Sequence, residues 1–153
     1  MNLRERKMSE IKTFSFNSRV YFEDTDAGGI VYYANYLKFC ERARTEWLRL
    51  SGISQSQLLE SNKGFVIRSI EGRYIRSAKL DDELNVFVIP FHLGACGLKI
   101  YQEVYNQHNE LLFKFSCSLA FIDFTRSKPI PMPKDARDFI KSYLNLNIQG
   151  IGD

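Results

Sequence analysis

Between Ala34 and Leu50, apolar side chains recur at Tyr36, Phe39, Cys40, Ala43, Trp47 and Leu50, the three-and-four spacing of one helical face. The exposed positions hold Lys38, Arg42, Glu46 and Arg49, and Gly52 stands where a helix C-terminus stops. One long amphipathic helix limits the architecture, because its apolar stripe must be buried against something. The remaining apolar segments of this chain are short and rich in β-branched and aromatic residues, so the partner is a sheet.

The sheet is read from the flanking sequence. From Thr13 to Phe22, the residues Phe14, Phe16, Val20 and Phe22 alternate with Ser15, Asn17, Arg19 and Tyr21, a first strand with one face in the core. After the long helix, Ser54 is an N-cap for a shorter one through Leu58, Leu59 and Glu60. Strand-like runs follow at Phe65–Ile67, Tyr74–Ile75, Leu84–Ile89, Leu98–Tyr105 and Leu111–Phe124, with Asn106–Asn109 as a hairpin connection between the last two. Pro129, Pro131 and Pro133 hold an extended stretch before Lys134–Leu144, where Ala136, Phe139, Ile140, Tyr143 and Leu144 return to helical spacing. The expected fold class is α+β: a strand, a long helix, then an antiparallel meander, with a C-terminal helix packed outside. Its boundaries are an N-terminal tail at 1–11, a single domain at 12–145 and a C-terminal tail at 146–153.

Several function classes lack support. A formal charge of +3 without a basic stripe does not call for a nucleic-acid partner. Cys40, Cys96 and Cys117 have no C-x-x-C spacing, which suits a reducing compartment, and the charged first ten residues read as neither secretory signal nor anchor. The apolar runs are far below the roughly 18 residues of a membrane span, so the expectation is a cytoplasmic protein without membrane insertion. No G-x-S-x-G elbow, P-loop, G-x-G-x-x-G, H-E-x-x-H or clustered Cys/His set occurs, so neither a metal nor a cofactor is implied. His92 and His108 read as surface or edge residues, and Cys40 as core.

What remains is Tyr21-Phe22-Glu23-Asp24-Thr25-Asp26-Ala27-Gly28-Gly29-Ile30-Val31-Tyr32-Tyr33-Ala34-Asn35-Tyr36, a carboxylate-rich loop that runs through glycines into the long helix. The first turn of a helix leaves backbone N–H groups unpaired at the positive end of its dipole, so a carbonyl oxygen placed there finds donors. Glycines allow the backbone close to a ligand, and an ionised aspartate on the loop can attack a carbonyl or deprotonate water. The plainer reading is that Asp24 and Asp26 only stabilise the helix start, at about 0.3–1 kcal/mol each. The residues alone leave both open.

The run Asp24-Thr25-Asp26-Ala27-Gly28-Gly29-Ile30-Val31-Tyr32-Tyr33, with Asn35-Tyr36 and Glu41-Arg42-Ala43-Arg44-Thr45-Glu46-Trp47 after it, resembles the signature of the 4-hydroxybenzoyl-CoA thioesterase type of hotdog protein. Within that type it is most similar to the YbgC-like acyl-CoA thioesterases encoded beside Tol-Pal components in many Gram-negative bacteria. The resemblance runs from about Arg19 to Lys134, with Tyr74, Asp81-Asp82 and Leu84 as weaker marks. It implies a hotdog fold, a long central helix wrapped by an antiparallel sheet, and a homodimer or homotetramer with the active site between subunits. It also implies an acyl-CoA substrate, short-chain or aromatic. Asp26 matches the family's catalytic aspartate, as nucleophile through a mixed anhydride or as general base. The backbone amide of Tyr33 matches the oxyanion donor, and Gly29, Ile30, Val31 and Glu41 are the substrate-binding candidates.

Two departures bear on this. Many YbgC-like proteins have histidine where Tyr33 stands, and the loop Leu93-Gly94-Ala95-Cys96-Gly97 lacks the Arg or Lys that relatives often place near CoA phosphates. Arg73, Arg76, Lys79, Lys99, Arg126 and Lys128 are then the phosphate candidates by charge. The alternative function, from another class, is a non-catalytic partner of an acyl-carrier protein or a phospholipid enzyme that uses the same pocket. A hotdog dehydratase would need a histidine paired with a carboxylate at the pocket, and neither histidine falls in the helix region.

Overall fold

The computed structural model describes residues 12–152. Strand β1 (Phe14–Arg19) leads through a 3₁₀ turn (Phe22–Asp24) to helix α1 (Asn35–Arg49) and the short α2 (Gln55–Glu60). Then come β2 (Lys63–Tyr74), β3 (Glu83–Leu93), β4 (Gly97–Tyr105), β5 (Leu111–Asp123), the two-residue β6 (Lys128–Pro129) and α3 (Lys134–Tyr143). The strands form one antiparallel sheet in the order β1-β3-β4-β5-β2, with β6 beside β5. None of the helices among the described residues is long and apolar enough to cross a membrane.

The expected pairing of stripe and sheet is present. Tyr36, Phe39, Cys40, Ala43 and Trp47 of α1 are buried in one cluster with Val86 and Val88 of β3, Ile100 and Val104 of β4, and Phe113 and Phe115 of β5. The strand positions alternate, as one sheet face requires. The register puts Val86 opposite Val104 and Val104 opposite Phe113, so the core crosses the strands in rows. One such row contains Gln102, whose amide donates to the Cys40 carbonyl at 3.0 Å and accepts from the Arg44 guanidinium at 2.8 Å. Those bonds offset the cost of burying a polar group there. The long helix against an antiparallel sheet is the hotdog arrangement.

Local differences from the sequence reading have identifiable causes. Val20 is buried, but Phe22, expected on the same inner face, is 81% exposed, because the chain leaves the sheet after Arg19 and the 3₁₀ turn breaks the alternation. Leu50 is 60% exposed because it is the C-cap, beyond the last turn that meets the sheet. The runs Phe65–Ile67 and Tyr74–Ile75 are not separate elements: β2 is continuous from Lys63 to Tyr74, with a register irregularity between Ile67 and Ser69. Its Ser69–Tyr74 half is exposed, so no buried face marks it in the sequence. The segment after α3 is docked rather than trailing. Ile148 and Ile151 are buried against Phe87, Ile89, Tyr101 and Tyr105 on the sheet's other face. The α3 helix packs on α1, its Phe139 and Tyr143 rings 5.4 and 5.7 Å from that of Trp47. The tail expected at 1–11 lies outside the described residues.

Candidate active site

The loop that leads into α1 is held by its own acids. Asp24 is buried, and its carboxylate accepts from the Tyr21 N–H at 2.8 Å. Its carbonyl accepts from the Tyr32 N–H at 3.0 Å and the Asn35 amide at 2.9 Å, which closes the loop onto the first residue of the helix. Asp24 is therefore a structural clamp. Asp26 is exposed two residues on, and its Oδ1 accepts from the Gly28 N–H at 2.8 Å. The turn between is tight: the Asp26 carbonyl accepts from the Gly29 N–H at 3.0 Å, and Gly29 has φ +77°, a region that favours glycine. A Cβ at Gly28 would lie 3.1 Å from the Asp26 Oδ1.

A bridge between Thr25 and Val31 closes this turn on itself, and two contacts fix it to the rest of the protein: Ile30 bridges Lys79, and the Val31 N–H donates to the Ala78 carbonyl at 2.9 Å. Ala78 is held in turn by its own N–H, which donates to the Tyr36 hydroxyl at 2.9 Å.

The helix entrance beyond is uncapped by any side chain. Ala34, the N-cap, is already in helical conformation, and nothing among the described residues accepts the Tyr33 N–H. The Tyr33 carbonyl, by contrast, accepts from the Tyr74 hydroxyl at 2.8 Å. Burial holds the Tyr74 phenol above its ordinary range, so it remains a proton donor at neutral pH. Tyr32 also titrates high, first through its hydrogen bond to the Tyr33 side chain, with the Asp26 charge contributing.

The candidates named from sequence divide between two cavities. Ile30, Val31 and Tyr33 line a shallow pocket of about 290 Å³ together with Tyr36, Tyr74 and Arg76. Asp26 and Gly29 stand beside it, not in its wall; the Asp26 N–H donates to the Ile30 carbonyl at 2.9 Å. Glu41 lies elsewhere, on the rim of an apolar cavity of about 590 Å³ beneath α1, with Leu37, Arg44, Trp47, Phe65 and Phe115. Tyr74, a weak mark in the sequence, proves to hold the backbone at the entrance. Arg44 was missed, although it stands on the apolar stripe four residues after Cys40, an unusual place for a charge.

Of the basic candidates for phosphates, Arg76 pairs with Glu110 at 3.0 Å and Arg126 with Asp123 at 3.5 Å. Arg73, Lys79, Lys99 and Lys128 are exposed with no ion pair among the described residues. No group of His, Cys, Asp or Glu among the described residues is arranged to hold a metal. Burial pushes the Cys40 thiol up to about 12, which removes it as a nucleophile.

Comparison with known proteins agrees with this fold. The model of the thioesterase-like superfamily matches residues 20–140. The acyl-CoA thioesterase YbgC of Haemophilus influenzae is 39% identical over 125 residues, covering 81% of this chain and 91% of that protein. The YbgC of Helicobacter pylori is 35% identical over 133 residues, 81% and 97% of the two chains. Among solved structures, a 1,4-dihydroxy-2-naphthoyl-CoA thioesterase from Synechocystis superposes with a TM-score of 0.80 at 22% identity, covering 85% of this chain and 96% of that one. A Staphylococcus aureus protein in complex with CoA gives 0.81 at 14% identity, over 87% and 84%, and likewise shows the fold. On the family match and these relatives, the chain belongs to the thioesterase-like superfamily of hotdog proteins.

Proposed function

We propose that this chain is a cytoplasmic acyl-CoA thioesterase that hydrolyses short-chain or aromatic acyl-CoA, with Asp26 as its catalytic carboxylate. The observation that carries the reading is the pairing of an exposed carboxylate with an uncapped helix entrance. One oxygen of Asp26 is held by the Gly28 N–H, and the Tyr33 N–H a few residues on has no acceptor among the described residues. A thioester carbonyl lodged at that entrance would receive the Tyr33 N–H and the positive end of the α1 dipole as negative charge develops on its oxygen. The second Asp26 oxygen then has two possible tasks. It attacks the carbonyl carbon, expels the CoA thiolate and leaves a mixed anhydride that water cleaves, or it takes a proton from water that attacks directly. Either way, thioester and water become carboxylic acid and CoA thiol. Gly29, Ile30 and Val31 would border the thioester. The YbgC proteins of Haemophilus influenzae and Helicobacter pylori, named as acyl-CoA thioesterases, support the substrate class.

We further propose a homodimer, alone or as half of a homotetramer, formed through β2. This strand is an edge of the sheet and carries exposed Ile67, Ile70 and Tyr74. An unpaired apolar edge of this length is a template for another strand. In a two-fold dimer the two β2 strands would run antiparallel, setting the Tyr74 end of one beside the Phe65–Ile67 end of the other. The helix entrance, tied to Tyr74, would then lie at the subunit boundary.

The test is release of CoA thiol from an acyl-CoA panel by the wild-type protein and by Asp26→Ala. Hydrolysis that survives the substitution intact removes Asp26 from the mechanism. Absence of hydrolysis across the panel, with acyl-carrier protein captured instead, favours the non-catalytic binding role.

A further inference from the structure

The cavity beneath α1 contains a charge that the proposed mechanism does not use. Arg44 is 9% exposed, and it lines a wall otherwise formed by Leu98, Ile100, Phe115 and Leu119. Its guanidinium lies 5.7 Å from the centre of the Phe115 ring and donates to the Gln102 side chain at 2.8 Å. Gln102 is neutral, and no ion pair among the described residues includes Arg44. A guanidinium has five N–H donors. The bond to Gln102 is the one hydrogen bond that the Arg44 side chain donates among the described residues. Glu41 and Lys38, exposed at the rim, are opposite in sign, so the net charge of the lining is that of Arg44. Trp47, another wall residue, holds a buried indole N–H without a partner among the described residues.

A buried cation in an apolar wall is costly unless an anion accompanies it. Here no carboxylate among the described residues forms an ion pair with it. The cavity is also of a size typical of small-ligand sites. From these observations we propose that Arg44 is a specificity-determining residue: the cavity takes an acyl group that ends in a carboxylate, the monothioester of a short dicarboxylic acid. The guanidinium fork meets the terminal carboxylate with charge-assisted hydrogen bonds, and the apolar walls hold the methylenes.

This inference rests on the thioesterase and dimer readings above. Along one chain, Arg44 is eleven residues beyond Tyr33, about 16 Å at helical rise, farther than a short acyl group reaches. Across the antiparallel β2 pair, the helix entrance of one subunit faces the Phe65–Ile67 wall of the other's cavity, so the acyl group crosses the boundary and Arg44 acts in the partner's site.

Binding tests this separately from turnover. Trp47 is the only tryptophan of the chain and lines the cavity, so its fluorescence reports occupancy. Full-length Asp26→Asn protein is titrated with length-matched pairs: succinyl- against butyryl-CoA, glutaryl- against valeryl-CoA, adipoyl- against hexanoyl-CoA. The expected result is that at least one dicarboxylic member binds about tenfold to a hundredfold more tightly than its plain match, and that Arg44→Met abolishes the difference. Equal or weaker binding of every dicarboxylic member overturns the inference, as does a preference that survives Arg44→Met. If Arg44→Met does not fold, Arg44→Lys replaces it; that variant keeps the charge but not the fork, and an undiminished preference counts against Arg44. Failure of the wild-type protein to hydrolyse any of these thioesters sinks the short-chain reading of its substrate, while the pairwise binding ratios still decide the role of Arg44.

Discussion

The Tyr74 hydroxyl donates a 2.8 Å hydrogen bond to the Tyr33 carbonyl, joining the end of the edge strand to the helix entrance across 41 positions of sequence. The Tyr74 ring also packs 5.4 Å from Tyr36 and 4.8 Å from Phe113, so the hydroxyl is aimed by the aromatic core. Tyr74→Phe keeps the ring and removes the donor. With one partly exposed hydrogen bond at stake, about 0.5–1.5 kcal/mol, kcat should fall by a few-fold to about tenfold with little change in Tm. Steady-state kinetics beside a thermal melt checks this, and an unchanged kcat would show that the entrance holds its geometry without Tyr74.

Asp26→Asn retains an acceptor for the Gly28 N–H but loses the charge. The turn should persist and the chemistry should not: kcat is expected to drop by about 10²–10⁴-fold, the usual scale for a positioned acid–base group, with Tm close to that of the wild type. A CoA-thiol assay and a melt on the same sample read both quantities.

Asp24 should behave in the opposite way. Its carboxylate satisfies the Tyr21 N–H from a buried position, so Asp24→Ala leaves a donor unpaired and should cost about 1–3 kcal/mol of stability. Urea unfolding measures that loss. At temperatures where the variant is folded, its kcat should exceed that of Asp26→Asn.

These contrasts show which parts of the site could be read in advance. The loop and α1 were legible because their signals are local: glycines at a turn, acids before a helix, and a stripe at Tyr36, Phe39, Cys40, Ala43 and Trp47 that needs only one covering surface. The Ser69–Tyr74 half of β2 was not, since an exposed edge needs no apolar alternation. Phe22 misled for a related reason, because strand periodicity continues on paper after the backbone has turned away at Arg19. The separation of Glu41 from Tyr33 into different cavities depends on where β2 and β5 pass beneath α1, which spacing along the helix does not reveal.

The buried thiol of Cys40 gives the stability a pH dependence. Burial raises it from 9.0 to about 12, with the Arg44 charge opposing. Above the ordinary thiol range the unfolded chain loses this proton while the folded chain keeps it, so the unfolded state binds fewer protons and stability falls as pH rises. The contribution is fully present below about pH 9 and is lost progressively towards pH 12, with a limiting slope of about 1.4 kcal/mol per pH unit. Cys40→Ala should lower stability at pH 7 by leaving a cavity, yet flatten the alkaline decline. Urea midpoints taken from neutral to alkaline pH would show a parallel decline in both proteins if the thiol contributes nothing.

The edge of β2 makes the last prediction. Ile70 is 51% exposed on a strand with no second neighbour among the described residues; it pairs with Cys117 on the core face, at the border of the Arg44 cavity, and is an apolar liability there unless another surface covers it. If a second copy provides that cover, Ile70→Lys places like charges close together across the two-fold axis and removes apolar burial from both subunits. The mass measured by light scattering should then shift from dimer or tetramer towards monomer, while the circular dichroism of the isolated subunit stays close to that of the wild type. Thioesterase activity should fall in step with the loss of dimer, although Ile70 lies outside the Asp26 loop, because each helix entrance would lose the surface that completes it. A variant that stays fully associated, or a monomer with full activity, would place the assembly, or the working site, somewhere other than this edge.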